Sequence, residues 1–308
     1  MIGAALSDGS GPDWSGPDRS GPDTADLVVL ASDRMALTLD LAFGARVTRL
    51  TDRSTNREWL LQGPRARDVS DIAAYRGAAS RGWDECFPTI LPCHSAAWGG
   101  MLRDHGMLWG RPWTVFDPGP QQIGTRFDAD GVTFARVLTL QGPGLTAAYS
   151  VTSQRDGPMP YLWSQHCVLA TRPGDQISLT GQSVMRAGDT AFQWPDHPTR
   201  HLTHVGDLAE GFTLKAYALT PNHASAQISG PGGGLRFDWD GAEIPALGLW
   251  LDYGGWPAED PLHQVALEPA TATADDLAGA EALGQARWLT PGETHRWTVR
   301  LTLTEDQG

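Results

Sequence analysis

The chain has almost no lysine, few cysteines and no long apolar run, and the last two shortages exclude something. Of 23 basic residues among 308, only Lys215 is a lysine, an arginine bias that we read as compositional and without functional meaning. The 3 cysteines, Cys86, Cys93 and Cys167, are too few and odd in number for a disulfide framework, so a reducing, cytoplasmic setting is expected. No apolar stretch approaches a membrane span, and the N-terminus lacks the basic, apolar, small-residue succession of a signal peptide. Basic groups are outnumbered by 36 acidic ones, and a formal net charge of -13 repels phosphate backbones over most of the surface. Neither nucleic acid nor a membrane is therefore expected as a partner; a small ligand is. Also missing are a glycine-rich phosphate loop, an HExxH pair and a G-x-S-x-G elbow. His197, His201 and His204 lie close in sequence, but Pro198 opposes the helix that would align them. Cys86, Cys93 and His94 have no ligand spacing either, so neither metal nor cofactor is expected.

What is present is period two. Met35, Leu37, Leu39, Leu41 and Phe43 alternate with smaller or polar residues, which places them on one face of an extended strand. The same alternation recurs at Leu145–Val151, Leu235–Trp239, Leu247–Tyr253 and Trp297–Leu303, separated by Gly- and Pro-rich turns. Only Ala272 to Leu283 reads as helix. Many short strands with little helix predict an all-β sandwich or barrel. Residues 9–24 repeat Ser-Gly-Pro-Asp units that cannot bury a core, so residues 1–25 are expected to form a flexible leader. No composition shift divides the rest, and residues 26–308 are read as a single domain.

Thirteen tryptophans, among them Trp83, Trp98, Trp109, Trp163, Trp250 and Trp256, suit either a wide core or the stacking of sugar rings on aromatic faces. Glu268 sits in Val265-Ala266-Leu267-Glu268-Pro269, where alternation separates it from Val265 and Leu267 and the proline is expected to end the strand. A carboxylate fixed there is a solvated edge residue or, if it faces a cleft, a general base. His166 lies mid-strand between Tyr161 and Leu169, on the face opposite Trp163, Gln165 and Cys167, as either a satisfied core histidine or a general acid. His105, in Asp104-His105-Gly106, belongs to a plain turn or to a site.

These residues are similar to the aldose 1-epimerase, or galactose mutarotase, family. GWDECFPTI at 82–90 resembles that family's Trp-Asp-Glu segment before a Phe-Pro, and DHGMLWGRPW at 104–113 its His-Gly turn. YLWSQHCVL at 161–169 resembles the strand of its second histidine, while LGLWLDYGGWP and VALEP, between 247 and 269, resemble the strands that deliver its glutamate. LTPGETHRWTV at 289–299 is similar to its closing turn and strand.

The resemblance implies a β-supersandwich of two large antiparallel sheets with a sugar cleft. It also implies catalytic roles: Glu268 as base toward the anomeric hydroxyl, His166 as acid toward the ring oxygen, and His105 holding a sugar oxygen. Asp84, Trp109 and Trp250 are further sugar-binding candidates. Family members commonly carry an arginine shortly after the Phe-Pro, where this chain has Pro92, Cys93 and His94, so Arg76 or Arg81 is expected to take that part. An aspartate between histidine and glutamate is also implied, with Asp207 the candidate by spacing. The implied activity is anomer interconversion of a free aldose, by a monomer or homodimer. The alternatives are an anionic sugar clamped by Arg76, Arg81, Arg103 or Arg111, and a sugar-binding protein without turnover, against which both His166 and Glu268 speak.

Overall fold

The computed structural model describes residues 26–65, 75–180 and 184–306; the expected leader lies outside them. The chain folds as two large antiparallel sheets, as the sequence leads one to expect. The first has 11 strands, in the order Leu27–Ala31, Met35–Asp40, Arg46–Asp52, Trp83–Cys86, Ser164–Leu169, His263–Ala270, Ala246–Tyr253, Phe212–Leu219, Val184–Ala187 and Thr190–Gln193, with Arg57–Glu58 beside the third. The second has 8, in the order Gln176–Leu179, His223–Gly230, Gly233–Asp240, Thr294–Thr304, Gly144–Ser153, Val132–Gln141, Gln122–Ala129 and Thr114–Pro118.

Alternation decides what lies between them. In Val132–Gln141 and Gly144–Ser153 every second residue is buried, so the second sheet keeps one face toward solvent. Its inner residues, such as Phe134, Leu138, Tyr149 and Leu301, share one apolar cluster with Leu37, Trp83, Cys167, Leu249 and Leu267 of the first sheet and with Trp163 just before its strand Ser164–Leu169. A polar knot sits inside this layer. Glu85, fully buried, accepts from Arg136 Nη1 at 2.9 Å, Trp83 Nε1 at 3.1 Å, Tyr149 Oη at 3.1 Å and Trp163 Nε1 at 3.0 Å, joining the two sheets. Trp83 and Trp163 therefore belong to the core, and Trp98 is tied to the Pro160 carbonyl at 2.8 Å.

Three local expectations change. Strand Met35–Asp40 stops before Leu41, because Leu41–Phe43 closes a 3-10 turn that ends on Gly44 at φ 80°. The helix is only Leu277–Ala282; Asp276 caps it by accepting from Gly279 N at 2.7 Å, which leaves Ala272–Asp275 outside it. Pro269 does not end its strand, since His263–Ala270 runs through it. On the Ser164–Leu169 side the ladder is interrupted there: Val168 pairs with Ala266 and Ser164 with Ala270, and the missing N–H of Pro269 falls in the gap between them. No helix among the described residues is long and apolar enough to cross a membrane.

Candidate active site

The same alternation that buries Glu85 turns Asp84 to the outer face of the first sheet, and it does likewise for His166 between Gln165 and Cys167 and for Glu268 beside Leu267. Asp84 and His166 are direct cross-strand partners. Glu268 pairs across the other ladder with Gly248, whose missing side chain leaves room: a Cβ there would stand 2.9 Å from Glu268 Oε2 and 3.1 Å from Tyr217. Over this face lies a cavity of about 380 Å³, lined by Tyr75, Ser80, Ile90, Leu91, Asp104, His105, His166, Val168, Lys215, Trp250, Trp256, Gln264, Glu268 and Asp275. That size falls within the range of small-molecule sites.

At its floor His166 Nε2 and Glu268 Oε1 face one another at 3.9 Å. The other histidine nitrogen is engaged from behind. Tyr75 Oη lies 2.9 Å from His166 Nδ1 and donates to Asp84 Oδ1 at 2.9 Å, which lets it accept from an Nδ1–H and leaves Nε2 facing Glu268. Asp84 is in turn fixed by Arg46 through Nε at 3.2 Å and Nη2 at 2.5 Å. Burial alone would raise the Asp84 carboxyl, but the Arg46 guanidinium and His166 outweigh it and hold Asp84 well below the ordinary carboxylate range. Arg46 also donates to the Ala79 carbonyl, tying down the turn that follows Tyr75.

His105 occupies the left-handed region at φ 57°, and its ring stacks on Tyr75 at 3.7 Å with its edge toward His166. Asp104 Oδ1 lies 2.8 Å from its Nδ1. Burial, reinforced by neighbouring His166, pushes His105 below its ordinary value against the opposing pull of Asp104. The turn is built rather than incidental: Gly106, at φ 72°, packs so close to Phe87 that a Cβ would meet its carbonyl oxygen at 1.9 Å. Glu268 is only 1% exposed. Burial pushes its carboxyl up, but the Lys215 ammonium, His166 and His105 together bring it below the ordinary glutamate value.

The cavity thus brings together Glu268, His166, His105 and Trp250, with Trp256 edge-on to Trp250 at 6.3 Å. Asp84 and Trp109 stand one layer back. Trp109 is buried, donates from Nε1 to the Asp104 carbonyl at 2.8 Å and meets Tyr75 edge-on at 5.0 Å, so it supports the histidine turn without lining the cavity. Asp207 is elsewhere: it caps the exposed turn Leu208–Glu210, accepting from Ala209 N at 2.9 Å, because a capping box claims its carboxylate. Arg81 donates to the Gln62 carbonyl at 3.1 Å and lies 3.8 Å from Asp260, and Arg76 is an exposed residue before the 77–80 turn; neither lines the cavity. His197 and His201 bond the neighbouring threonines Thr199 and Thr203 on the surface.

The sequence pattern does not single out Tyr75, Lys215 or Gln264 as site residues. Tyr75 stands in no pattern, and Lys215 stands out only as the one lysine of the chain.

The architecture is the galactose mutarotase-like fold. No family sequence model matches the chain, and no curated protein matches it by sequence. Solved structures do. A galactose mutarotase-like protein from Clostridium acetobutylicum has a TM-score of 0.68 at 13% identity, over 91% of this chain and 95% of that one. A galactose mutarotase related enzyme from Lactobacillus acidophilus has 0.66 at 14%, over 91% and 98%. The Slr1438 protein from Synechocystis sp. PCC 6803 has 0.68 at 19%, over 91% and 96%. Identities of this size carry the fold and not the chemistry, which rests on the residues above.

Proposed function

We propose that the protein is a mutarotase for a neutral aldose. The observation that carries this reading is the approach of His166 Nε2 to Glu268 Oε1 at 3.9 Å in a cavity that Trp250 and Trp256 also line. An acid and a base at that separation can address two oxygens bonded to one carbon. Glu268 takes the proton of the anomeric hydroxyl, whose electrons form the carbonyl as the bond from C1 to the ring oxygen breaks. His166 delivers a proton from Nε2 to that ring oxygen. The open-chain aldehyde turns about C1–C2, and the ring closes on the other carbonyl face as His166 recovers its proton and Glu268 returns its own. No atom is gained or lost. Trp250 and Trp256 offer apolar faces to the sugar's C–H surface, and Gln264 and Asp104 offer polar groups to its hydroxyls.

A neutral substrate is favoured over an anionic one by the arginines. Arg103 donates to the carbonyls of Gly106 and Trp109, Arg111 pairs with Asp130 at 2.6 Å, and with Arg76 and Arg81 outside the cavity no guanidinium of these four lines it. The test is polarimetry on freshly dissolved pure anomers of neutral aldoses and of their 6-phosphates. Faster equilibration of at least one neutral aldose is expected; acceleration confined to the phosphates would overturn the substrate class, and acceleration of none would overturn the activity.

A further inference from the structure

The resemblance implies a carboxylate between the second histidine and the glutamate, yet the one charged side chain that this stretch sends into the cavity is a cation, Lys215. It is also the one lysine in 308 residues. Its strand, Phe212–Leu219, is separated from Glu268 by Ala246–Tyr253, so the side chain must cross a whole strand to reach the carboxylate. The crossing is open because Gly248 lies in register with both Tyr217 and Glu268 and fills nothing. Lys215 Nζ donates to Glu268 Oε2 and stands 5.2 Å from the Tyr217 ring, while Oε1 is left toward His166. A glutamate 1% exposed has lost its hydration, and a buried carboxyl without a cation takes a proton and ceases to be a base.

We propose that Lys215 is a positioning residue for the reaction inferred above: it keeps Glu268 ionised in its buried seat and holds Oε2, so that Oε1 alone is presented to the substrate. The pair also neutralises the ammonium, so Lys215 adds no free positive charge to a cavity that already carries Asp104 and Asp275. Other titratable groups around Glu268 are His166 on Ser164–Leu169, Asp84 and Cys86 on Trp83–Cys86, Tyr217 beside Lys215, and His105 from the turn above. Asp275 accepts from Tyr217 Oη at 2.7 Å and is thereby already engaged. Among these, Lys215 bonds the carboxylate directly and lies outside the Tyr75–Asp84 relay that serves His166.

Being the sole lysine makes the test specific. Lysine labelled with 13C and 15N gives one side-chain spin system in the full chain, whose shift senses the protonation of Glu268. The account expects a step in that resonance with a midpoint below the ordinary glutamate value, absent in Glu268→Gln, which keeps the shape. A lysine resonance without such a step, or one unchanged in Glu268→Gln, overturns the pairing, and this arm needs no substrate. In kinetics, Lys215→Met should move the acid limb of kcat/KM upward, lowering it about tenfold or more near pH 5 and less toward pH 8, and Lys215→Arg should restore most of it. An acid limb that stays in place in Lys215→Met, with Lys215→Arg equally unaffected, overturns the role. If no sugar is turned over by the wild type, the functional reading fails by itself, while the resonance still decides whether Lys215 holds Glu268 ionised.

Discussion

Glu85 and Glu268 are equally hidden, each on a strand of the same sheet and each bonded to a cation, yet their surroundings differ in kind. Around Glu85 the donors of Arg136, Tyr149, Trp83 and Trp163 come from both sheets and occupy both oxygens. Around Glu268 one oxygen is held by Lys215 and the other looks across the cavity at His166. Burial therefore does not distinguish a structural carboxylate from a reactive one; an oxygen left facing open space beside a proton donor does. The same contrast separates Asp84 from its neighbour Glu85, since one step along a strand exchanges the core for the site.

Substituting both glutamates is the sharpest way to break that comparison. Glu268→Gln should cut kcat by about 10³-fold or more while leaving the unfolding free energy within about 1 kcal/mol. Glu85→Gln should reverse the pattern, with an unfolding free energy lower by about 3–5 kcal/mol because Arg136 is left charged in the core. Steady-state kinetics and urea titration read the two effects, and a Glu85→Gln protein as stable as the wild type would show that the knot is dispensable.

Asp84 joins both worlds, as a buried ion pair that also sits behind the proposed acid, His166. Its folded value lies below its unfolded one, so its contribution is present above the ordinary carboxylate range and is lost as the pH falls below it. Asp84→Asn should therefore cost about 2–4 kcal/mol near pH 7, and the gap to wild type should narrow as the pH falls from about 5 to 2. A gap that widens in acid would mean that Arg46 does not hold Asp84 ionised. A smaller effect is expected from Tyr75→Phe, which removes one hydrogen bond behind His166: about tenfold in kcat with KM little changed. The smallest is at Asp207, where Ala should cost about 1 kcal/mol of stability through the lost cap and leave kcat/KM as it was. A large loss of kcat/KM there would return Asp207 to the sugar site.

Most of the fold was legible because period two survives wherever a strand has one wet face. At His166 and Glu268 the signal was instead a polar residue alternating with apolar ones in strands buried on both faces. What alternation could not give was partnership across distance: Asp207 had the right residue type and spacing, but a local capping box had claimed it. Arg76 and Arg81 failed similarly, being near the site in sequence and outside its cavity. Lys215 is the opposite case: composition gives its rarity no meaning, and only the fold shows its contact with Glu268. That contact depends on an empty place at Gly248, and a glycine in a strand marks such a place only when one knows what approaches it.

The most direct test of the paired glutamate and histidine is exchange NMR on an equilibrated neutral aldose that the wild type turns over, recorded with wild-type protein and with Glu268→Gln at matched concentration. The account predicts exchange cross-peaks between the two anomers with wild type and their loss with Glu268→Gln, under conditions where line broadening shows that both proteins bind the sugar. Cross-peaks of equal intensity with both proteins would contradict it.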